Sequence, residues 1–341
     1  MAREKPVLKV LSTPARLEVG GRRSQIEAAY DHFRIDRQSS LVSPSTLRFY
    51  DHMARPFLAW LRGEGCLDFE ELTVDHVRRF RVFQSQRPGK HGQAMAAKTI
   101  HGYHRGTSTF LRWAALEGYP VDGRILLLKP PRVPQSEPDV FHLAQLRKIL
   151  ASCNPEVPQE ELAVRIAVGS GLRISEICGL CIEGPDGLPD LMLDSLDRGR
   201  VELRVRWDAG AKGRKSRRVP IGARLATAIK RYESRDRPRV ERPELLINRF
   251  GQPFQRYGLD SLFTRLRVRT GLPVHAHAFR HTFATVATQM GWNFERLRSA
   301  MGHSDYKVLQ TYVHLATDRD LGSLKDWTEF ITPPPAQSSC R

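Results

Sequence analysis

The sequence predicts a mainly α protein with a small antiparallel β-sheet, an α+β chain built as two domains. Three observations predict it. Apolar residues recur at helical spacing from about 43 to 118 and again from about 222 onward; one stretch, 200–206, alternates apolar and charged residues instead; and four prolines within 130–138 divide the chain.

Residues 1–40 are polar and irregular and are expected to form a tail or arm. Ser43 followed by Pro44 marks a helix start, a capping hydroxyl before proline at the first helical position. Leu47, Tyr50, Phe57, Leu58 and Leu61 follow at helical spacing, and Gly63 and Gly65 stop the run. A second helix is expected over Val74–Gln86. A third starts near Ala96 and carries Ile100, Tyr103, Phe110, Leu111 and Ala114 before Gly118. These make a small helical domain over 41–120. Its basic positions (Arg78, Arg79, Arg81, Lys90, Lys98, Arg105, Arg112) suit phosphate contacts and equally suit a solvated face.

Pro130, Pro131, Pro134 and Pro138 deny backbone donors and push their predecessors out of the helical region, so 121–138 reads as an extended linker. The second domain, 139–331, opens with helices at about 142–153 and 160–170 and then Arg173–Leu180. Arg200–Arg206 has the period of a half-buried strand, Arg217–Ile221 is its partner, and Asp208–Ser216 is the hairpin between them. Helices return from about 222, and the proline run at 333–335 marks a disordered end over 332–341.

Composition narrows the function. Among 341 residues, Lys and Arg number 54 against 37 Asp and Glu, a formal net charge of +17. Such a surplus favours a polyanionic partner, because phosphates neutralised by Lys or Arg release condensed counterions. A basic protein without a nucleic-acid role, or one meeting anionic membranes, has the same balance. The longest apolar run, Ile125–Leu128, is far shorter than the ~20 residues a bilayer span needs. Residues 1–20 lack the apolar segment of a secretory signal. The five cysteines (66, 153, 178, 181, 340) are odd in number and scattered, which fits a reducing cytosol.

Four segments of the second domain concentrate groups suited to a phosphate. In 170–176, Arg173 follows a glycine turn into a helix, and Glu176, three residues on, lies on the same face and can orient it; alone this is an ordinary surface ion pair. At 211–215, Lys212 sits at a glycine-flanked hairpin tip. At 277–281, His277 and Arg280 share one face of a helix whose apolar stripe is Phe279, Phe283, Val286 and Met290. His275, His277 and His281 also suggest a metal, but a zinc site wants a fourth ligand or a paired Cys/His set, and Cys178–Cys181 stands alone, so no metal is expected. At 302–304, His303 precedes Tyr312 by nine residues, and Tyr312 is placed like a core aromatic.

Together these segments supply what phosphoryl transfer to a protein hydroxyl requires. A tyrosine forms the covalent ester, and arginines neutralise the non-bridging oxygens. Histidines donate hydrogen bonds or move protons, and a lysine protonates the leaving oxygen.

In these motifs the sequence resembles the tyrosine recombinases, the lambda-integrase and Xer-type family. SGLRISEICGL (170–180) resembles the first-arginine box and AKGRKSRRVPI (211–221) the β-hairpin lysine box. HAFRHTFAT (277–285) resembles the HxxR box, and MGHSDYKVLQTYVH (301–314) the box of the second His/Trp position and the nucleophile. The resemblance covers about 135–325; the helical region is similar in outline to the family's SAM-like core-binding domain. It implies that Arg173 and Arg280 clamp the scissile phosphate, that Lys212 is the general acid for the 5′-oxygen, and that Lys215 is a non-catalytic second lysine. It places His277 and His303 at the two histidine positions, with Glu176 buttressing Arg173. Tyr312 would attack to give a 3′-phosphotyrosyl link, while Tyr306 lies in the variable stretch. It further implies a cytoplasmic enzyme without cofactor, a clamp around double-stranded DNA, and a homotetramer on two sites, with accessory DNA-bending or partner recombinase proteins. The apolar segment 320–330 (Leu321, Leu324, Trp327, Phe330) would pack on a neighbouring protomer or on its own domain. The extra length favours the integrase or transposase of a mobile element over a Xer-like dimer resolvase. A type IB topoisomerase and an inactive DNA-binding protein are the rivals outside the family's recombinases.

Overall fold

The structure is a computed structural model. It describes residues 24–89, 92–134, 137–193, 201–208, 216–302, 312–317 and 320–331. Lys90, Lys212, Lys215, His303 and Tyr306 lie outside the described residues, as do the hairpin tip 209–215 and the proline-rich end. The chain divides into two compact units, 1–136 and 137–341, each with its own apolar core.

The first unit is all helical: α1 (Gln25–Ser39), α2 (Pro44–Gly63), α3 (Val74–Gln86), α4 (Ala97–Leu116) and the single turn α5 (Gly123–Leu126). Ser43 caps α2 through the Thr46 amide, with Pro44 at the start, as its sequence predicts. Two expectations are corrected. Residues 25–39 are not a tail: Ser24 caps α1, and Ile26, Ala29, Tyr30 and Phe33 are buried. The stripe was diluted by the charged residues between its members, yet Phe33 reaches Tyr50, Phe110 and Trp113 at ring distances of 5.2–5.7 Å. Nor is 121–138 extended throughout, because Asp122 caps α5 and turns Ile125 into the first core; the prolines act only after it.

The second unit contains α6 (Leu143–Ala151), α7 (Pro158–Ser170), α8 (Ile174–Cys178), a three-stranded sheet, α9 (Ala223–Arg231) running into a π-helical turn at Tyr232–Asp236, α10 (Arg256–Thr270), α11 (Ala276–Gln289), α12 (Phe294–Met301), helical residues 312–317 (α13) and α14 (Leu324–Trp327). The strands are β1 (Leu191–Met192), β2 (Val201–Val205) and β3 (Arg217–Ile221), antiparallel in that order. Leu203 pairs with Val219 and Val201 with Ile221. Val201, Leu203 and Val205 face the core and the charged residues between them face out. The two-residue β1 lies in 182–199, where the sequence carries no strand period.

Nearly every side chain of α7 is buried, which makes it the central helix, packed on α8, α9, α11 and β3. In this chain the C-terminal segment folds onto its own unit. Leu321, Trp327, Phe330 and Ile331 join the second core, the Leu143 amide donates to the Leu321 carbonyl, and Trp327 Nε1 donates to the same oxygen at 2.9 Å. No helix among the described residues is long and apolar enough to cross a membrane.

Candidate active site

The site grows from the end of α7. Gly171 holds φ +61°, and a Cβ there would lie 2.4 Å from the Phe283 ring, so only glycine lets the chain turn under α11. Two residues later Arg173 starts α8. Its backbone N–H donates to Glu176 Oε2 at 2.8 Å, and its guanidinium Nη1 donates to Oε1 at 3.0 Å. A second guanidinium arrives from β3. Arg217 donates Nη1 and Nη2 to the two Glu176 oxygens at 2.9 and 2.8 Å. The Glu176 side chain is wholly buried. Burial by itself would raise its pKa, but the Arg217 hydrogen bonds and charge, with those of Arg173, hold it below the ordinary carboxylate value.

The same arginines are tied to the last turn of α12. Arg217 Nε donates to the Ala300 carbonyl at 2.8 Å, Arg280 Nη2 to Met301 at 2.5 Å, and Arg173 Nη2 to Gly302 at 2.9 Å. Carbonyls at a helix C-terminus lack partners within the helix and carry its negative partial charge, so they attract cations. Gly302, at φ +60°, ends α12 in the left-handed conformation and lies against the Arg217 guanidinium.

Arg280 comes from α11 and is 5% exposed. Its other terminal nitrogen donates to the Gly171 carbonyl at 2.6 Å. Burial, then the neighbouring Arg173 charge, lowers its pKa. Two guanidiniums thus hold one carboxylate, and a third lies close enough to feel their charges, a positive excess suited to an anion. Arg173, with its side chain 21% exposed, is the one of the three that a ligand reaches most directly.

Tyr312 on α13 is 1% exposed, and its hydroxyl lies 3.0 Å from His281 Nδ1. Burial raises the phenol pKa, while the Arg280 and Arg173 charges pull it down. The Arg280 and Arg173 charges thus reach the phenol, and by electrostatics they also act on His277, one turn before His281 on α11. His277 is exposed, yet partial desolvation and then Arg280 lower its pKa.

Of the residues expected from sequence, the structure brings Arg173, Glu176, His277, Arg280 and Tyr312 into one region of the second unit. Lys212 and His303 lie outside the described residues. The three histidines that suggested a metal have separate roles. His275 caps α11 through the Ala278 amide and pairs with Asp139, His277 flanks Arg280, and His281 meets Tyr312. Among the described residues no group of His, Cys, Asp or Glu is arranged to hold a metal ion. Sequence reasoning missed Arg217 and His281 as site residues. Both carried a signal: Arg217 opens the inward-facing register of β3, and His281 lies four residues after His277 on one helix face.

Helical units, a small antiparallel sheet and an arginine-rich site beside a buried tyrosine are the parts required of an enzyme that links a phosphate to a tyrosine. Comparison with known proteins makes this specific. The phage integrase family matches residues 140–319, more than half of the chain, and the chain belongs to that family, the tyrosine recombinases, enzymes of site-specific DNA cleavage and rejoining. It is similar to tyrosine recombinase XerD of Listeria monocytogenes, 23% identical over 295 residues that cover 83% of this chain and 92% of the relative. It is similar to tyrosine recombinase XerA of Thermococcus kodakarensis, 28% identical over 283 residues, 81% of this chain and 86% of the relative. In fold it resembles a lambda integrase dimer bound to a core site, with a TM-score of 0.65 at 14% identity, covering 87% of this chain and 98% of that one. It also resembles the Tn1549 transposon integrase in complex with transposon right end DNA, with a TM-score of 0.64 at 17% identity, covering 85% and 94%.

Proposed function

We propose that this chain recombines double-stranded DNA at two sites through a 3′-phosphotyrosyl intermediate on Tyr312, as the integrase or transposase of a mobile element. The observation that carries the chemistry is the gathering of Arg173 and Arg280, from α8 and α11, on the last turn of α12, with the Tyr312 phenol of α13 within reach of both charges. Arg173 and Arg280 neutralise the non-bridging oxygens of the scissile phosphate, and Glu176 fixes the angle of Arg173. His277 supplies a hydrogen bond at the same phosphate, with His303 as its counterpart. The Tyr312 hydroxyl loses its proton to solvent as its oxygen attacks phosphorus, the P–O5′ bond breaks, and Lys212 protonates the leaving 5′-oxygen. No cofactor enters, because the phosphotyrosyl ester conserves the energy of the broken bond for rejoining. A homotetramer would hold two duplexes for exchange.

Support for duplex DNA as the partner comes from the net charge of +17 and from the relatives, which are recombinases. The second reading of the biological role is a Xer-like resolvase of DNA dimers, in keeping with the Xer names of these relatives.

Nicked suicide duplexes tiled across the DNA flanking the chain's own gene test the proposal. A covalent adduct forms with the native chain and not with Tyr312→Phe. Mapped ends at the boundaries of an element support the mobile-element role, and a chromosomal repeat supports the dimer resolvase. Relaxation of supercoils without transfer between two sites identifies a topoisomerase, and no adduct at all an inactive DNA-binding protein.

A further inference from the structure

His281 is not needed by the chemistry proposed above, yet its imidazole lies within hydrogen-bond distance of the nucleophile. Its Nδ1 lies 3.0 Å from the Tyr312 hydroxyl, with ring centroids 5.6 Å apart and planes inclined at 45°. Arg280, the preceding residue, donates instead to the Gly171 and Met301 carbonyls. Consecutive residues of α11 therefore divide the labour. One fixes a guanidinium and the next meets the phenol.

The phenol it holds is withdrawn. At 1% exposure Tyr312 is packed in the second core, so in this state its phenol is covered rather than presented to a ligand. The imidazole is also in the right state to accept. Burial, then the charges of His277 and Arg280, pushes its pKa down to about 4, so the ring is neutral near pH 7. A neutral ring has one bare nitrogen. With Nδ1 bare, the phenol O–H donates to it. Among the described residues, His275 and Asp139 also act on the ring by their charge.

We infer that His281 is a positioning residue that latches Tyr312 in a resting, withdrawn state, and that DNA cleavage begins when this hydrogen bond is given up. The inference rests on Tyr312 being the nucleophile. It assigns His281 no share in bond making, since the contact belongs to the state before the phenol swings toward the phosphate. A latch of this kind keeps the phenol away from DNA until the phosphate is seated on Arg173 and Arg280.

The test has two arms. In the first, the full chain without DNA is treated with tetranitromethane, and nitration is followed at Tyr312 by peptide mapping. Tyr257, 85% exposed, gives the fast reference, and Tyr232, 2% exposed in the same unit, must stay slow, which marks a folded unit. One hydrogen bond changes an opening equilibrium by about 3- to 10-fold, so His281→Leu should nitrate at Tyr312 faster by that factor. His281→Phe, closer in volume, does the same should the leucine variant misfold. His281→Asn, whose amide places a polar atom near the Nδ1 position, should return to the native rate. In the second arm, single-turnover adduct formation on the suicide duplex should quicken in the leucine and phenylalanine variants and not in His281→Asn. Unchanged nitration in both apolar variants overturns the latch. Slower adduct formation despite faster nitration also overturns it, and assigns His281 to the chemical step. If even the native chain forms no adduct, the recombinase reading of Tyr312 fails, while the nitration arm still decides whether His281 restrains the phenol.

Discussion

Arg173 and Arg280, distant in sequence and on different helices, donate to adjacent carbonyls, Gly302 and Met301, at the end of α12. The two phosphate-clamping candidates thereby share one backbone anchor, to which Glu176 adds a side-chain contact for Arg173. Their spacing depends on a helix terminus that cannot move without moving both.

Arg280→Lys tests the fork. Lysine cannot reach the Gly171 and Met301 carbonyls together as the guanidinium does. Adduct formation should fall by ~10²–10³-fold, and urea melts should show a loss of about 1–3 kcal/mol from the carbonyl left unsatisfied. Retention of full activity in the lysine variant would count against a bidentate role.

Glu176→Gln keeps the shape and removes the charge shared by Arg173 and Arg217. Breaking a buried pair on one side costs about 3–5 kcal/mol, read as a lower urea midpoint at pH 7. The native carboxyl binds its proton more weakly than in the unfolded chain. Its contribution is therefore complete above about pH 4.3 and fades as pH falls through the lower folded value. The glutamine variant should lack that acid-side decline.

His281 gives a second pH signature. Its folded pKa of about 4 lies below the ordinary value of about 6.5, so protons favour the unfolded chain. Stability from this residue is whole above about pH 6.5 and declines as pH falls toward 4. His281→Asn should flatten the stability profile in that window, measured by urea melts at half-unit steps.

Gly171→Ala places a methyl against the Phe283 ring in a left-handed conformation. The backbone cost is about 1–2 kcal/mol and the overpacking about 1–3 kcal/mol. With Phe283→Ala present, adding Gly171→Ala should cost only the backbone share, so the double variant loses less than the sum of the singles. Strict additivity would mean the ring is not the obstacle.

Much of the site was legible because its residues lie in short local patterns. Arg173 with Glu176, and His277 with Arg280, are three apart on helices, and the period alone puts each pair on one face. The inward register of Arg217 on β3 was legible, but its role was not. Its importance comes from pairing with Glu176 and Ala300, and nothing near residue 217 names either partner. α1 was hidden for a related reason: Ile26, Tyr30 and Phe33 stand among charged neighbours, and only the aromatic surface they meet on α2 and α4 shows that they are core.

The sequence by itself determined the helical and strand periods, the pairing of a strand within Arg200–Arg206 with Arg217–Ile221, the helix start at Ser43 and Pro44, and the chemical types available for a phosphate. Only the tertiary structure decided that three arginines from α8, β3 and α11 converge on the last turn of α12, that the C-terminal Trp327 packs into its own unit, and that Tyr312 rests against His281. The physical reason is range. Helix and strand periods are set by neighbours a few residues away. A guanidinium finds its carbonyl, and a phenol its imidazole, only after the apolar faces have been buried and the helix ends brought together.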